Sequence, residues 1–165
     1  MCSSDLIHDW GPVFELAGKG GSELVELTVN YRTPAEVMAF AVAEVSRHGR
    51  AVSAPSAIRF SGVAPQRRAG SVGTLTDLLA QARAAVGDAG TVVAVVPEAL
   101  ARPHDEAFLT ATQTKGLEFD GVIVFDPAAI ASESPFGATR LYVALTRTTR
   151  LLWVVHPVPD GDPTR

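Results

Sequence analysis

Apolar and polar residues alternate through L-V-E-L-T-V at 24–29, the pattern of a half-buried strand. The run feeds Asn30-Tyr31-Arg32 and then Thr33-Pro34-Ala35-Glu36. That tetrapeptide offers an N-cap hydroxyl, a proline at the first helical position and an acid able to return a hydrogen bond. A helix is predicted to about His48, ended by Gly49. Over 50–73 the pattern breaks at Pro55, Gly62, Pro65 and Gly70, leaving a short strand at 57–60 and an exposed loop at Gln66-Arg67-Arg68. The sequence Thr74 to Asp77 caps a second helix to about Val86, with Leu75, Leu78, Leu79, Ala82 and Ala85 on one face.

The continuous apolar run at 91–96 reads as a buried parallel strand, with Pro97-Glu98 opening a short helix after it. Strands are predicted at 108–112 and 122–125, a helix at 137–150, and a last central strand at 151–156. Strands and helices alternate throughout, which implies an α/β fold: a parallel sheet with helices on both faces.

Composition narrows the class. The 165 residues are 47% hydrophobic and 19% charged, enough for one domain around one core. The formal charge of −4 argues against a strongly basic nucleic-acid-binding surface but says nothing of a local patch. One cysteine, Cys2, excludes an internal disulfide and suits a reducing compartment. No apolar run approaches the ~20 residues of a membrane span, and 1–10 lack the apolar centre of a signal peptide, so a cytoplasmic protein is expected. Residues 1–6 match nothing downstream in composition. With a GTG start they would be encoded by GTG TGC TCT TCC GAT CT, a string resembling a sequencing-adapter end, and the expectation is an assembly artefact or disordered segment on a truncated gene. The folded domain is expected over 7–157, with a disordered tail at 158–165.

Chemistry concentrates in three places. Arg147 follows Arg140 by two predicted helical turns, so both would share one stripe, and a guanidinium held on a rigid helix suits phosphate oxygens. The plain alternative is a surface arginine on an amphipathic helix. Lys115-Gly116 resembles half of a phosphate loop, yet the full G-x-x-x-x-G-K-[ST] pattern is absent, and Gly18-Lys19-Gly20-Gly21-Ser22 follows no strand and reads as a flexible loop. No acidic pair ends an apolar strand to hold Mg²⁺. His8, His48, His104 and His156 are scattered, and no metal site is predicted. A serine or cysteine nucleophile has no local signature either.

Taken together, L-T-V-N-Y-R-T-P-A-E-V (27–37), T-K-G-L-E-F-D-G-V-I-V (114–124) and L-Y-V-A-L-T-R-T (141–148) resemble the fourth, fifth and sixth motifs of superfamily 1 helicases of the UvrD/Rep type. N-Y-R-T-P-A-E, K-G-L-E-F-D and L-Y-V-A-L-T-R-T most resemble the HelD-like motor ATPases that release and recycle RNA polymerase. The resemblance implies a RecA-like fold of the P-loop NTPase type, specifically the second motor domain, which has no Walker A of its own. It implies ATP with Mg²⁺, the magnesium ligands lying on a missing N-terminal RecA-like domain that is the expected partner. Arg147 and Arg32 would be arginine fingers, a role worth orders of magnitude in rate. Tyr31 would stack on adenine, and Glu118, beside Gly116, would accept hydrogen bonds from the ribose hydroxyls.

Each residue has a structural alternative: Tyr31 could pack where strand meets helix, Glu118 could face solvent on a strand, and Asn30 could cap the turn. Lys115 reads as structural. Many unwinding enzymes carry a histidine where this chain has Thr112, which puts DNA coupling in doubt; Thr110, Thr112 and Gln113 remain the candidates for contact with a nucleic-acid backbone. The span from Arg32 to Lys115 has no room for the large inserted domain of UvrD-type unwinders, which suits a translocase or polymerase remodeller. The isolated chain is expected to have negligible ATPase activity. A reading from a different class is a non-catalytic binding module contacting RNA polymerase or another protein. An unrelated doubly wound nucleotide-binding fold would need a glycine-rich first turn that the sequence lacks.

Overall fold

A computed structural model describes residues 11–20, 29–49, 55–102 and 105–158. The segments 1–10, most of the strand expected at 24–29, Gly21-Ser22, and the tail beyond 158 lie outside the described residues. Besides two 3-10 turns, at Val72–Thr74 and at Glu98–Leu100 where a short helix is expected, the described residues form α1 (Gly11–Leu16), β1 (Val29–Asn30), α2 (Ala35–Ser46), β2 (Ser56–Ala57), β3 (Gln66–Gly70), α3 (Leu75–Val86), β4 (Val92–Val95), β5 (Phe108–Leu109), β6 (Phe119–Phe125), α4 (Pro127–Ser132), α5 (Gly137–Leu145) and β7 (Thr148–Pro157).

Five strands form one parallel sheet in the order β3-β7-β6-β4-β5, while β1 and β2 make a separate parallel pair. Alternation along the central strands sorts their side chains into two cores. Val93, Val95, Val122, Val124, Leu152 and Val154 pack on one face against Val37, Ala41 and Val45 of α2, Ile130 of α4, and Leu141 and Leu145 of α5. Val92, Ala94, Ile123, Phe125, Trp153 and Val155 face the other way, against Leu75, Leu79, Ala82 and Val86 of α3. Both faces of the sheet are therefore covered, the α/β arrangement expected from the continuous apolar runs.

Several boundaries differ from the sequence reading, each for a local reason. Gln66-Arg67-Arg68 is no loop; it begins the edge strand β3, paired in register with β7 from Gln66↔Trp153 to Gly70↔Pro157. Its arginines are polar at the tip and planar at the head, so each lies over an aromatic ring, Arg67 4.3 Å from the Phe40 centroid and Arg68 3.4 Å from that of Trp153. The strand expected at 57–60 is instead β2 at Ser56–Ala57. Pro34, without a side-chain bond, caps α2; Thr33 and Glu36 have other partners, the Glu36 carboxylate accepting from the Ser61 and Gly62 N–H groups. The carboxyl is held below its usual range first by Glu36's own backbone N–H, against desolvation, and then by the Gly62 and Ser61 N–H groups.

On α3 the buried position falls at Val86 rather than Ala85. The helix predicted to 150 stops at Leu145, because the Thr146 hydroxyl donates back to the Tyr142 and Val143 carbonyls and the chain turns directly into β7. Arg140 consequently shares no stripe with Arg147 and pairs with Glu98 at 3.1 Å. The strand expected at 108–112 closes after Leu109. Helix α4 was not anticipated; Asp126, at φ +50°, starts it by accepting from the Ala129 N–H at 3.0 Å.

Candidate functional site

Three segments far apart in sequence meet at the end of the sheet where β6 and β7 begin. The first is the turn after β1. Asn30 Oδ1 accepts from the N–H groups of Arg32 (2.8 Å) and Thr33 (3.1 Å), a side-chain-closed turn that aims Tyr31 and Arg32 outward. Thr33 is buried behind them, its hydroxyl donating to the Thr146 carbonyl at 3.2 Å. The hydroxyl that looked like a helix cap therefore locks this turn to the end of α5.

The second segment is the loop ahead of β6. Thr114, fully buried, donates its hydroxyl to the Ala111 carbonyl at 2.8 Å. Gly116 takes φ +79°, the left-handed region where a side chain would strain the backbone. The chain then presents Glu118 and enters β6, where the Phe119 N–H donates to the Arg147 carbonyl at 3.0 Å. Arg147, just past α5, is the third contribution. Its Nε–H donates to the Val143 carbonyl at 3.1 Å, which fixes the half-buried guanidinium.

These segments enclose a cavity of about 210 Å³ lined by Asn30, Arg32, Thr33, Met38, Glu118, Tyr142, Thr146 and Arg147. Arg32 Nε lies 2.9 Å from Glu118 Oε1. Burial pushes the Arg147 guanidinium below its ordinary range; Glu118 pulls it back up, and the neighbouring positive charge of Arg32 pushes it further down. Burial also raises the Tyr142 phenol, with Arg147 opposing, so Tyr142 stands in the cavity as a neutral hydroxyl. One carboxylate thus faces two guanidiniums and a neutral phenol. Such a cavity is short of negative charge and is shaped to receive an anion.

Of the residues singled out from sequence, Arg32, Glu118 and Arg147 converge here. Tyr31 stands on the adjoining turn, 70% exposed, outside the lining. Gly116 shapes the approach to Glu118 without lining the cavity. Thr110, Thr112 and Gln113 lie elsewhere, in the turn after β5. There the Gln113 side-chain oxygen accepts from the Thr110 N–H (2.8 Å) and the Thr110 hydroxyl accepts from the Gln113 N–H (3.3 Å), while Thr112 is exposed. Sequence reasoning missed Thr33, Met38, Tyr142 and Thr146 as lining. Tyr142 and Thr146 had a readable signal, since positions four apart on a helix share a face leading toward Arg147.

A larger cavity, about 510 Å³, sits beside β4, β5 and β6 with Arg83, Thr91 and Glu106 beside Leu109, Leu117 and Phe119 in its wall, and it brings together none of the candidate site residues. Among the described residues no cluster of His, Cys, Asp and Glu could hold a metal ion, and no helix is long and apolar enough to cross a membrane.

Residues 107–155 match the family model of the UvrD-like helicase C-terminal domain. That stretch contains Gly116, Glu118 and Arg147 but not Arg32. Among solved structures, the C-terminal domain of a possible DNA helicase from Lactobacillus plantarum WCFS1 is similar at 16% identity, covering 78% of this chain and 88% of that one with a TM-score of 0.48. No curated protein matches the chain.

Proposed function

We propose that the chain is the C-terminal RecA-like half of a superfamily 1 ATP-driven helicase or translocase of the HelD type, and that the cavity of Arg32, Glu118 and Arg147 is its share of an ATP site. The observation that carries this reading is the convergence of those three side chains, from three separated segments, on one cavity short of negative charge. The similarity of 107–155 to the UvrD-like helicase C-terminal domain supports the helicase-half part of this reading.

In this reading Arg147 and Arg32 meet the terminal phosphate and stabilise the charge that spreads over its oxygens during transfer. Arg147, already bonded through Nε to Val143, keeps its terminal nitrogens for the phosphate and loses little freedom on binding. Tyr31, exposed beside the cavity, stacks on the base, and Glu118 accepts from the ribose hydroxyls. Mg²⁺ accompanying ATP would offset phosphate charge, with its ligands on the N-terminal RecA-like domain, as the resemblance of the three motifs implies. Thr110, Thr112 and Gln113, on the turn after β5 with Thr112 and Gln113 exposed, are the residues proposed to touch a nucleic-acid strand, and RNA polymerase is the partner proposed for the complete motor.

The test supplies the N-terminal domain in trans or by fusion and measures ATP turnover. Hydrolysis should appear, and Arg147→Ala should lower kcat by about 10³-fold with nucleotide binding largely kept. Turnover indifferent to Arg147 would end this reading and leave the non-catalytic module.

A further inference from the structure

On the α3 face of the sheet a second cavity, about 360 Å³, opens between the start of β3, the end of α3 and the start of β7. It shares no lining residue with the cavity of Arg32, Glu118 and Arg147. Val86, Leu151 and Trp153 give it an apolar wall, its charged groups are Arg68 and Arg150, and no carboxylate lines it. The volume falls within the range of small-molecule sites.

Neutral groups hold both guanidiniums in place. Arg68 lies 3.4 Å from the Trp153 ring centroid, donates through Nε and Nη2 to Gln66 Oε1 (3.3 and 3.0 Å), and through Nη1 to Gln81 Oε1 (3.3 Å). Arg150 Nη1 donates to the Val86 carbonyl at 3.1 Å, where the negative end of the α3 dipole offsets part of its charge. Neither arginine forms an ion pair among the described residues, whereas Arg67, between them and α2 on the same edge strand, is paired with Glu44. The larger cavity beside β4 sets Arg83 against Glu106 and so favours neither sign of charge. This one is positive throughout, and its guanidiniums are already oriented before any ligand arrives.

We propose that this cavity is a ligand site separate from the ATP cavity, taking a small molecule that joins a phosphate or carboxylate to a flat apolar body. The oxyanion meets Arg68 and Arg150, whose planar forks match either head group. Gln66, its oxygen taken up by Arg68, adds only amide donors. The apolar body covers Val86, Leu151 and Trp153. An inorganic anion leaves that wall wet, and a neutral aromatic leaves the guanidiniums without a counter-charge, so the ligand needs both parts.

The experiment titrates the full chain with phenyl phosphate and with benzoate, beside inorganic phosphate and benzyl alcohol, following the Trp153 indole and the Arg68 and Arg150 Nε–H signals by NMR. The two aromatic anions should move these signals together and bind at least about tenfold tighter than either half-ligand; the tighter of the two names the head group. Arg150→Gln keeps a donor for the Val86 carbonyl but removes the charge, and should weaken binding by about tenfold with the melting temperature within about 2 °C of wild type. Arg68→Lys, which keeps the charge and loses the fork, should fall between that variant and wild type. Inorganic phosphate bound as tightly as phenyl phosphate, affinity unchanged in Arg150→Gln, or responses confined to the Arg32 and Arg147 signals would each overturn the site.

Discussion

Two glutamate–arginine pairs in this molecule use the same chemistry in opposite surroundings. Glu44, 1% exposed, takes both the Nη2 (2.7 Å) and the Nε (3.2 Å) of Arg67 on one oxygen, with Arg47 at 3.6 Å. Arg67 also covers the Phe40 ring, so the pair joins α2 to the edge strand β3 across a partly dry contact. Arg32 and Glu118 share a single contact at 2.9 Å in water's reach. The lesson is about exchange. A buried carboxylate that loses its nearest guanidinium keeps only longer contacts, here Arg47 at 3.6 Å and the His48 ring at 3.9 Å, whereas an exposed one returns to solvent at little cost.

Breaking the buried pair should have the largest effect. Arg67→Ala leaves Glu44 only its longer contacts to Arg47 and His48 and should cost about 2 kcal/mol, a fall of about 6 °C in the melting temperature. Replacing both partners, as Glu44→Leu with Arg67→Met, should recover most of that loss, since apolar groups of similar size fill the same space. A single mutant as stable as wild type would mean that Arg47 alone compensates the carboxylate and that the contrast between the pairs is false. Next in size is Thr33→Val, which removes the donor to the Thr146 carbonyl and should cost about 1 kcal/mol in urea unfolding. It should also weaken nucleotide contact at Arg32, because the lock between the two halves of the cavity is gone.

A smaller effect distinguishes the cavity by pH. Burial raises the folded-state pKa of Tyr142 above the usual phenol value, against a lesser pull from Arg147. Above about pH 10 the unfolded chain gives up this proton while the folded chain keeps it, so the native state holds more protons and its stability falls as pH rises. The contribution is intact below the unfolded value and is lost as pH climbs through the folded one. Tyr142→Phe should remove that part of the alkaline decline in urea midpoints between about pH 9 and 11. An identical slope in the variant would place the phenol in water.

How much of this was legible beforehand follows from what each residue had to pack against. The strands β4, β6 and β7 were readable because both faces are buried and the apolar runs are continuous. The edge strand β3 was not, because Gln66-Arg67-Arg68 carries the composition of a loop and becomes a strand through aromatic neighbours in α2 and β7. The end of α5 was hidden by Thr148, whose burial fits a helical stripe as well as the strand it starts. Helix α4 announced itself through Asp126-Pro127, but six residues are too few to show a period. In the site, Arg32, Glu118 and Arg147 were readable through motif resemblance. The Thr33 hydroxyl was misread as a cap because its partner, the Thr146 carbonyl, is 113 residues away and no local pattern encodes it.

The smallest predicted change in stability is the one that gives the comparison its force. Glu118→Gln and Arg32→Ala should each leave the unfolding free energy within about 0.5 kcal/mol of wild type, as for other exposed pairs. Neither residue is needed to hold the turn that carries it, since Asn30 closes the first and Thr114 braces the second. Chemical denaturation of both variants beside Arg67→Ala measures the two pairs on one scale. If Glu118→Gln cost as much as Arg67→Ala, the cavity's ion pair would be part of the scaffold, and a ligand could not displace it without loosening the fold. A negligible cost leaves the carboxylate free to change partners, which is what an anion-receiving cavity with a built-in counter-charge requires.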